Sequence, residues 1–314
     1  MRVIYFGTPD FAVPALEALA GSHHRPQLVV TRPDRPRGRG HKLTPCPVKS
    51  KAVELGINVD APETLRGNTE FFDRLKSLEP DLIVVAAYGN ILPNEVLNVP
   101  RLGSVNIHAS KLPKYRGAAP IHRAVLSGEE ETGISLMYMS EKLDEGDVIA
   151  VSSIAIGEMT TGQVEVRLAH LGASLLLEHM PLIEAGKAEG RPQDGGMATY
   201  APMVAREEGH IDFSAGTADA LNRIRAMTPA PGAYAVIGGE AWKIHKAKAA
   251  AEGELAEAKT AAPGDIIGVG PAGITVRTVD GGIILERIQI PGKRPMDVSD
   301  YLRGHGLDKT ERFT

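Results

Sequence analysis

An α/β fold with a mostly parallel sheet, followed by a smaller β-barrel unit, is predicted by three observations. Apolar runs of strand length alternate with helix-period runs through the first half of the 314 residues. A Gly-, Pro- and polar-rich stretch without periodicity then interrupts the chain over residues 186–206. Beyond it, five short apolar runs punctuated by Gly and Pro replace the alternation, the pattern of a small barrel such as the oligonucleotide-binding type.

Taken in order, strands are expected at residues 3–6, 28–31, 82–86, 105–108 and 134–139, where apolar and β-branched residues cluster. Helices are expected at 11–20, 48–55, 71–78, 121–126 and 162–185. The last carries Val166, Leu168, Leu171, Leu175 and Leu176 as core positions. An open parallel sheet of this kind presents its functional loops at the carboxyl ends of the strands. The second unit opens with a helix at 218–227 and continues in strands at 233–237, 242–247, 266–269, 274–278 and 283–290. The expected organisation is a catalytic domain over 1–189, a linker over 190–206 and a second domain over 207–314.

Composition limits the functional classes. The net charge of -4 argues against a protein that coats polyanions, so any nucleic-acid contact must come from a local basic patch. A single cysteine, Cys46, forms no internal disulfide and fits a reducing, cytoplasmic setting. The opening MRVIYFGTPDFAVPALEAL passes from strand to helix without the basic and apolar regions of an export signal. No apolar run approaches the roughly 20 residues that span a bilayer, so no membrane association is expected.

The most informative segment is SVNIHASKLPKYRGAAP, residues 104–120. Strand periodicity puts Asn106 and His108 on one face, where an amide and a protonated imidazole converge on a developing oxyanion. Asp144 follows the apolar run 134–139 in the loop SEKLDEGDV. From there a carboxylate holds a histidine protonated and accepts protons from a nucleophile.

The joint pattern Asn106, His108, Ser110, Leu112, Pro113, Tyr115, Arg116 and Gly117, followed by Leu143, Asp144, Gly146 and Asp147, resembles the signature of the 10-formyltetrahydrofolate-dependent formyltransferase family. The resemblance implies that Asn106, His108 and Asp144 are the catalytic trio and that Ser110, Lys111, Leu112 and Pro113 belong to a folate-binding loop. Lys111 departs from the family, which usually carries leucine there. By the same analogy the segment around Tyr88, Ile91 and Leu92 lines the pterin pocket. GTPDFAVP at 7–14, the loop RPDRPRGRGHKLTPCPVK and the terminal GKRPM at 292–296 resemble the methionyl-tRNA branch of the family. That likeness implies a Rossmann-like first domain, an OB-like second domain that binds tRNA, 10-formyltetrahydrofolate as co-substrate, initiator methionyl-tRNA as partner, and a monomer.

The loop itself is dense in positive charge. Arg32, Arg35, Arg37, Arg39, Lys42, Lys49 and Lys51 lie within residues 32–51 against one acid, Asp34, a density that attracts phosphate. A basic run alone describes a solvated loop equally well, and its place beside acyl-transfer residues turns the reading toward tRNA. Arg35, Arg37, Arg39, Lys42 and Lys49 are the expected tRNA contacts.

Other signals are discounted. Gly268, Gly270 and Gly273 satisfy a dinucleotide fingerprint, yet strand rather than helix follows them. No helix carries two imidazoles and a carboxylate at zinc-binding spacing, so no metal is expected. Trp242, Tyr234 and Tyr301 are expected to pack in the barrel rather than stack on bases. Two alternatives stay open: a formyltransferase for a small amine such as a nucleotide sugar, and a non-enzymatic RNA-binding protein, which leaves the trio without a purpose.

Overall fold

The computed structural model describes residues 1–37, 42–255, 260–307 and 310–314. Two compact units emerge: the first comprises Met1–Pro120, Thr132–Ile154 and Glu165–Ala201, the second Ile121–Glu131, Ala155–Val164 and Pro202–Thr314.

Strands β1 (Val3–Gly7), β2 (Pro26–Val30), β3 (Arg35–Arg37), β4 (Lys42–Thr44), β5 (Asn58–Asp60), β6 (Leu82–Ala86), β7 (Ser104–His108), β8 (Glu131–Tyr138) and β9 (Val148–Ala155) fall in the first half of the chain. Helices α1 (Val13–Ala20), α2 (Pro47–Glu54), α3 (Thr69–Ser77), α4 (Asn94–Leu97), α5 (Pro120–Leu126) and α6 (Thr161–Glu184) alternate with them. A seven-stranded sheet has the order β5-β2-β1-β6-β7-β8-β9. The five strands from β5 to β7 run parallel, and β8 turns antiparallel against β7.

Strands β1 and β6 are buried along their whole length, as expected when helices cover both faces of a parallel sheet. On one face Ile4, Phe6, Leu28, Val30, Ile83 and Val85 pack against Phe71 and Leu75 of α3. The other face lies under α6, where a Cβ on Gly172 would stand 2.6 Å from Ile107 Cγ2, so only glycine allows this close approach. The chain adds β2 and β5 on one side of β1, then returns to add β6 and β7 on the other. Ligand sites in such sheets form at the strand ends around this reversal.

In α6 the expectation for Val166 fails, because that residue is 60% exposed while Leu168, Leu175 and Leu176 are buried. Two residues along a helix is about 200° of rotation, so Val166 faces away from Leu168, and Val164, four residues back, takes the buried place instead. The strand β9, VIAVSSIA, is not among the expected strands although its residues are mostly apolar; in the fold it lies at the end of the sheet order and is half-buried to exposed along its length. Of the segment expected as a linker, residues 190–201 belong to the first unit and 202–206 to the second. Val148 and Arg191 exchange backbone hydrogen bonds, while Arg116 N donates to Thr199 O and its carbonyl accepts from Ala201 N.

The second unit contains α7 (Thr217–Ala226), β10 (Ala233–Ile237), β11 (Glu240–Ala249), α8 (Glu252–Leu255), β12 (Ile266–Gly270), β13 (Gly273–Arg277), β14 (Gly282–Gln289), β15 (Met296–Asp297) and α9 (Val298–Gly304). Its sheet has the order β10-β11-β14-β13-β12, with β15 on β14 and every pairing antiparallel. The C-terminal residues bridge the two ends of that order: Thr314 exchanges hydrogen bonds with Val236 of β10, while Phe313 bonds Gly264 just before β12. Phe313 is buried, and its ring lies 5.9 Å from that of Trp242. Trp242 and Tyr301 belong to the core, as expected, and Tyr234 is half-buried.

Candidate active site

Asn106 and His108 lie on the carboxyl-terminal half of β7, side by side on the face opposite Val105 and Ile107. His108 is buried and Asn106 half-buried. The Asn106 carboxamide has no hydrogen-bond partner among the described residues, so its two N–H donors are available to a ligand.

Asp144 reaches this pair from the loop after β8. Its Oδ1 stands 3.6 Å from His108 Nδ1, and its Oδ2 accepts a hydrogen bond from Gly117 N at 2.8 Å. The distance of 3.6 Å is an ion-pair contact, longer than a direct hydrogen bond. The other ring nitrogen is committed: His108 Nε2 faces the Tyr115 carbonyl oxygen at 3.0 Å. That bond fixes the ring plane and leaves Nδ1 as the nitrogen directed at Asp144.

Three further groups brace these loops: Arg116, which belongs to the sequence motif, and Gln193 and Ser135, which the sequence reading does not single out. Arg116, 4% exposed, donates from Nε and Nη2 to Gln193 Oε1 at 3.1 and 2.9 Å and pairs through Nη1 with Glu145 at 3.2 Å. Gln193 in turn donates from Nε2 to the carbonyl oxygens of Asp144 and Gly146, both at 2.8 Å. Ser135 on β8, fully buried, accepts from Leu112 N and donates to Ser110 O. The Arg116 to Gln193 link spans 77 residues and the Gln193 to Asp144 link 49, separations at which local pattern carries no signal.

Backbone geometry explains the Leu-Asp-x-Gly spacing. Asp144 sits at φ 53°, a left-handed conformation that aspartate tolerates better than most residues. At Gly146 a Cβ would collide with the Tyr138 carbonyl oxygen. The loop therefore passes so close to β8 that only glycine fits, which sets where Asp144 points.

The expected folate-loop residues are tethered rather than loose. Ser110 Oγ donates to Lys114 O at 2.6 Å, Leu112 is buried, and Lys111 and Pro113 are half-buried. Lys111 packs its stem toward β8, where a Cβ on Gly133 would stand 2.9 Å from Lys111 Cγ. Of the expected pterin-pocket residues, Tyr88 and Leu92 bury their side chains in the core, Tyr88 with its ring 5.2 Å from Phe6 and its hydroxyl pushed up to about 12 by burial. Ile91 is 82% exposed. Within residues 87–92, Ala87, Gly89, Asn90 and Ile91 are exposed, and Ala87 and Gly89 both adopt left-handed conformations.

The basic loop contains a short hairpin, β3 against β4, pairing Arg35 with Thr44 and Arg37 with Lys42. Arg35 is exposed, whereas Arg39 lies outside the described residues. Lys49 is engaged at 2.7 Å by Asp34, and Lys51 by Glu17 and Glu54. Lys49 and Lys51 are thus compensated within the fold. Cys46 is buried and its Sγ accepts from Lys49 N at the start of α2, a structural cap rather than a nucleophile.

Comparison with known proteins agrees with this arrangement. Residues 1–180 match the formyl transferase family model, and residues 203–306 match the formyl transferase C-terminal domain model. The chain is 47% identical over 317 aligned residues to a methionyl-tRNA formyltransferase of Heliobacterium modesticaldum, covering 100% of both chains. It is 45% identical to that of Moorella thermoacetica, covering 98% of this chain and 97% of the relative. Among solved structures, an N-formyltransferase from Helicobacter canadensis in complex with folinic acid and dTDP-3-aminofucose shares the fold at TM-score 0.68 and 19% identity, covering 91% and 98% of the two chains. HypX from Aquifex aeolicus in complex with tetrahydrofolic acid superposes at TM-score 0.63 and 18% identity, covering 96% of this chain and 47% of the other. The chain belongs to the formyltransferase family, and it matches relatives named methionyl-tRNA formyltransferase along its full length.

Proposed function

We propose that the protein transfers the formyl group of 10-formyltetrahydrofolate to the α-amino group of initiator methionyl-tRNA. The observation that carries this reading is the meeting of Asn106, His108 and Asp144 at the end of β7, in a chain that matches methionyl-tRNA formyltransferases from end to end. The unprotonated amine attacks the formyl carbon and a new C–N bond forms. The carbonyl oxygen gains negative charge, which the Asn106 amide and the His108 Nδ1–H stabilise. Asp144 orients the ring and compensates charge on it. The tetrahedral intermediate then collapses, the bond from the formyl carbon to N10 of the folate breaks, and tetrahydrofolate leaves. The proton released by the amine passes through water beside Asp144 and returns to N10.

In this reading residues 1–189 carry the chemistry, 190–206 join them to the second domain, and 207–314 contribute to tRNA binding. The folate rests against the 110–113 loop and the exposed part of the 87–92 segment, where Ile91 is open to solvent. Arg35 and its hairpin neighbours supply phosphate contacts. The reaction requires no metal and no covalent enzyme intermediate, and the protein acts as a cytoplasmic monomer. None of its helices is long and apolar enough to cross a membrane, among the described residues.

The test is release of tetrahydrofolate measured with each substrate omitted in turn. Release that requires both the formyl donor and methionyl-tRNA supports the proposal. Release with a nucleotide amino sugar in place of the tRNA, or none with the complete mixture, overturns it.

A further inference from the structure

The turn between α1 and β2 and the end of α6 meet at a cluster of side chains that the proposed reaction does not use. His23, His24 and Glu184, all in the first unit, each present one ligand atom, and these atoms lie within 4.8 Å of one another. The two rings touch, with centroids 4.0 Å apart. His24 is 2% exposed, and both of its ring nitrogens are buried without a hydrogen-bond partner. A buried imidazole whose nitrogens are both unmatched keeps its desolvation cost uncompensated, and a missing ion is one of the few explanations native structures offer for such a group.

Glu184 adds a second argument. It is the last residue of the 24-residue α6, whose final turn holds no basic residue, so a carboxylate stands at the negative end of a long helix. The Met1 amino group approaches its Oε1 at 3.2 Å and occupies one of its two oxygens. The second oxygen and the two imidazoles remain as metal-ligating donors, and a bound cation would share Glu184 with the Met1 amino group.

We propose that His23, His24 and Glu184 bind a divalent transition cation of the zinc class and pin the α1–β2 turn to the end of α6. Two imidazoles and a carboxylate suit zinc, whereas magnesium and calcium favour oxygen-only sets. Ligand atoms around tetrahedral zinc stand about 3.4 Å apart, given bonds of about 2.0–2.2 Å. Rotation of the exposed His23 and Glu184 side chains closes the gap, while His24 stays fixed by its backbone bond to Ser22 Oγ at 3.0 Å. Water completes the fourth position. The sequence reading of an absent metal site rested on spacing within single helices, and Glu184 lies 160 residues from His24.

Zinc ion titrated into the metal-stripped full-length chain tests the proposal, with binding read by equilibrium dialysis and by cobalt substitution. One ion per chain is expected, with visible cobalt bands of tetrahedral intensity. His23→Ala and Glu184→Gln, both at exposed positions, should each weaken binding by at least the roughly 10-fold that loss of even an outer-sphere partner costs, and His24→Ala should abolish it. Formyl transfer should be unchanged in the two exposed variants, since neither residue belongs to the catalytic loops. If His24→Ala fails to fold, His23→Ala and Glu184→Gln decide alone. Absence of stoichiometric uptake, or uptake that both variants retain at full affinity, overturns the site.

Discussion

Replacing Gln193 with alanine gives the sharpest view of how the Asp144 loop is held. The carboxamide makes four hydrogen bonds: two received from the Arg116 guanidinium and two donated to the carbonyls of Asp144 and Gly146. At about 1 kcal/mol for each neutral bond and about 2 kcal/mol for each bond to a charged donor, the gross loss is about 6 kcal/mol. Gln193 is half-buried, so water refills part of the gap, and a net destabilisation of about 2–3 kcal/mol follows. Asp144 keeps its bond from Gly117 N, so the carboxylate shifts rather than departs. A shift of about 1 Å at a reacting group costs on the order of 100-fold in rate. Turnover should therefore fall by about that factor while KM for both substrates stays near its original value, the signature of an interaction that matters in the transition state. Gln193→Glu separates the two halves of the contact: it retains acceptors for Arg116 but loses the donors to Asp144 and Gly146, so stability should recover more than turnover. Steady-state kinetics beside thermal unfolding provide the assay. If Gln193→Ala lowers the melting temperature but leaves kcat unchanged, the tether is structural and does not position Asp144.

Gly146→Ala should lower turnover through the same loop, because its Cβ collides with the Tyr138 carbonyl oxygen; a crystal structure of the variant with Asp144 undisplaced would count against that reasoning. In the basic hairpin, Arg35→Gln should reduce the slope of log affinity for tRNA against log salt by roughly one per lost phosphate contact, whereas Lys49→Gln should change it little, since Asp34 already holds that ammonium. Equal slope changes for both would refute this division. For pH, a backbone hydrogen bond from Arg2, aided by Arg101, holds the Asp81 carboxyl below its ordinary range. A folded pKa below the unfolded value stabilises the protein above the unfolded pKa of about 4 and loses that contribution as pH falls through the folded value. Asp81→Asn should thus be less stable at neutral pH and lose less stability on acidification, as measured by denaturant unfolding between neutral and acid pH.

The parts of the site visible in the sequence are those that share a strand or a tight loop. Asn106 and His108 stand two residues apart on β7, so strand periodicity alone puts them on one face. Asp144 was legible through its motif, and Gly146 explains the spacing by its close approach to β8. Gln193 was not legible, because it lies in a Gly- and Pro-rich stretch whose order comes from bonds to Arg116 and Asp144 far away in the chain. His23 and His24 meet Glu184, which lies 160 residues beyond His24, a separation at which local pattern carries no signal either. Strands with strong apolar content, such as β1 and β6, could be read directly. The three-residue β5 and the Arg- and Lys-bearing hairpin of β3 and β4 offer no such pattern, since pairing rather than composition forms them. Tyr88 and Leu92 show a further limit: an aromatic and an aliphatic residue beside a functional loop pack inward when a sheet face lies beneath them.

The central claim is that the Asn106 amide stabilises the oxygen of a tetrahedral formyl intermediate. A single-turnover measurement of formyl transfer by Asn106→Ala, with both substrates saturating, tests it most directly. A fall of about 100- to 1000-fold with tRNA affinity preserved is the expected result. A rate near that of the unaltered protein would contradict the account.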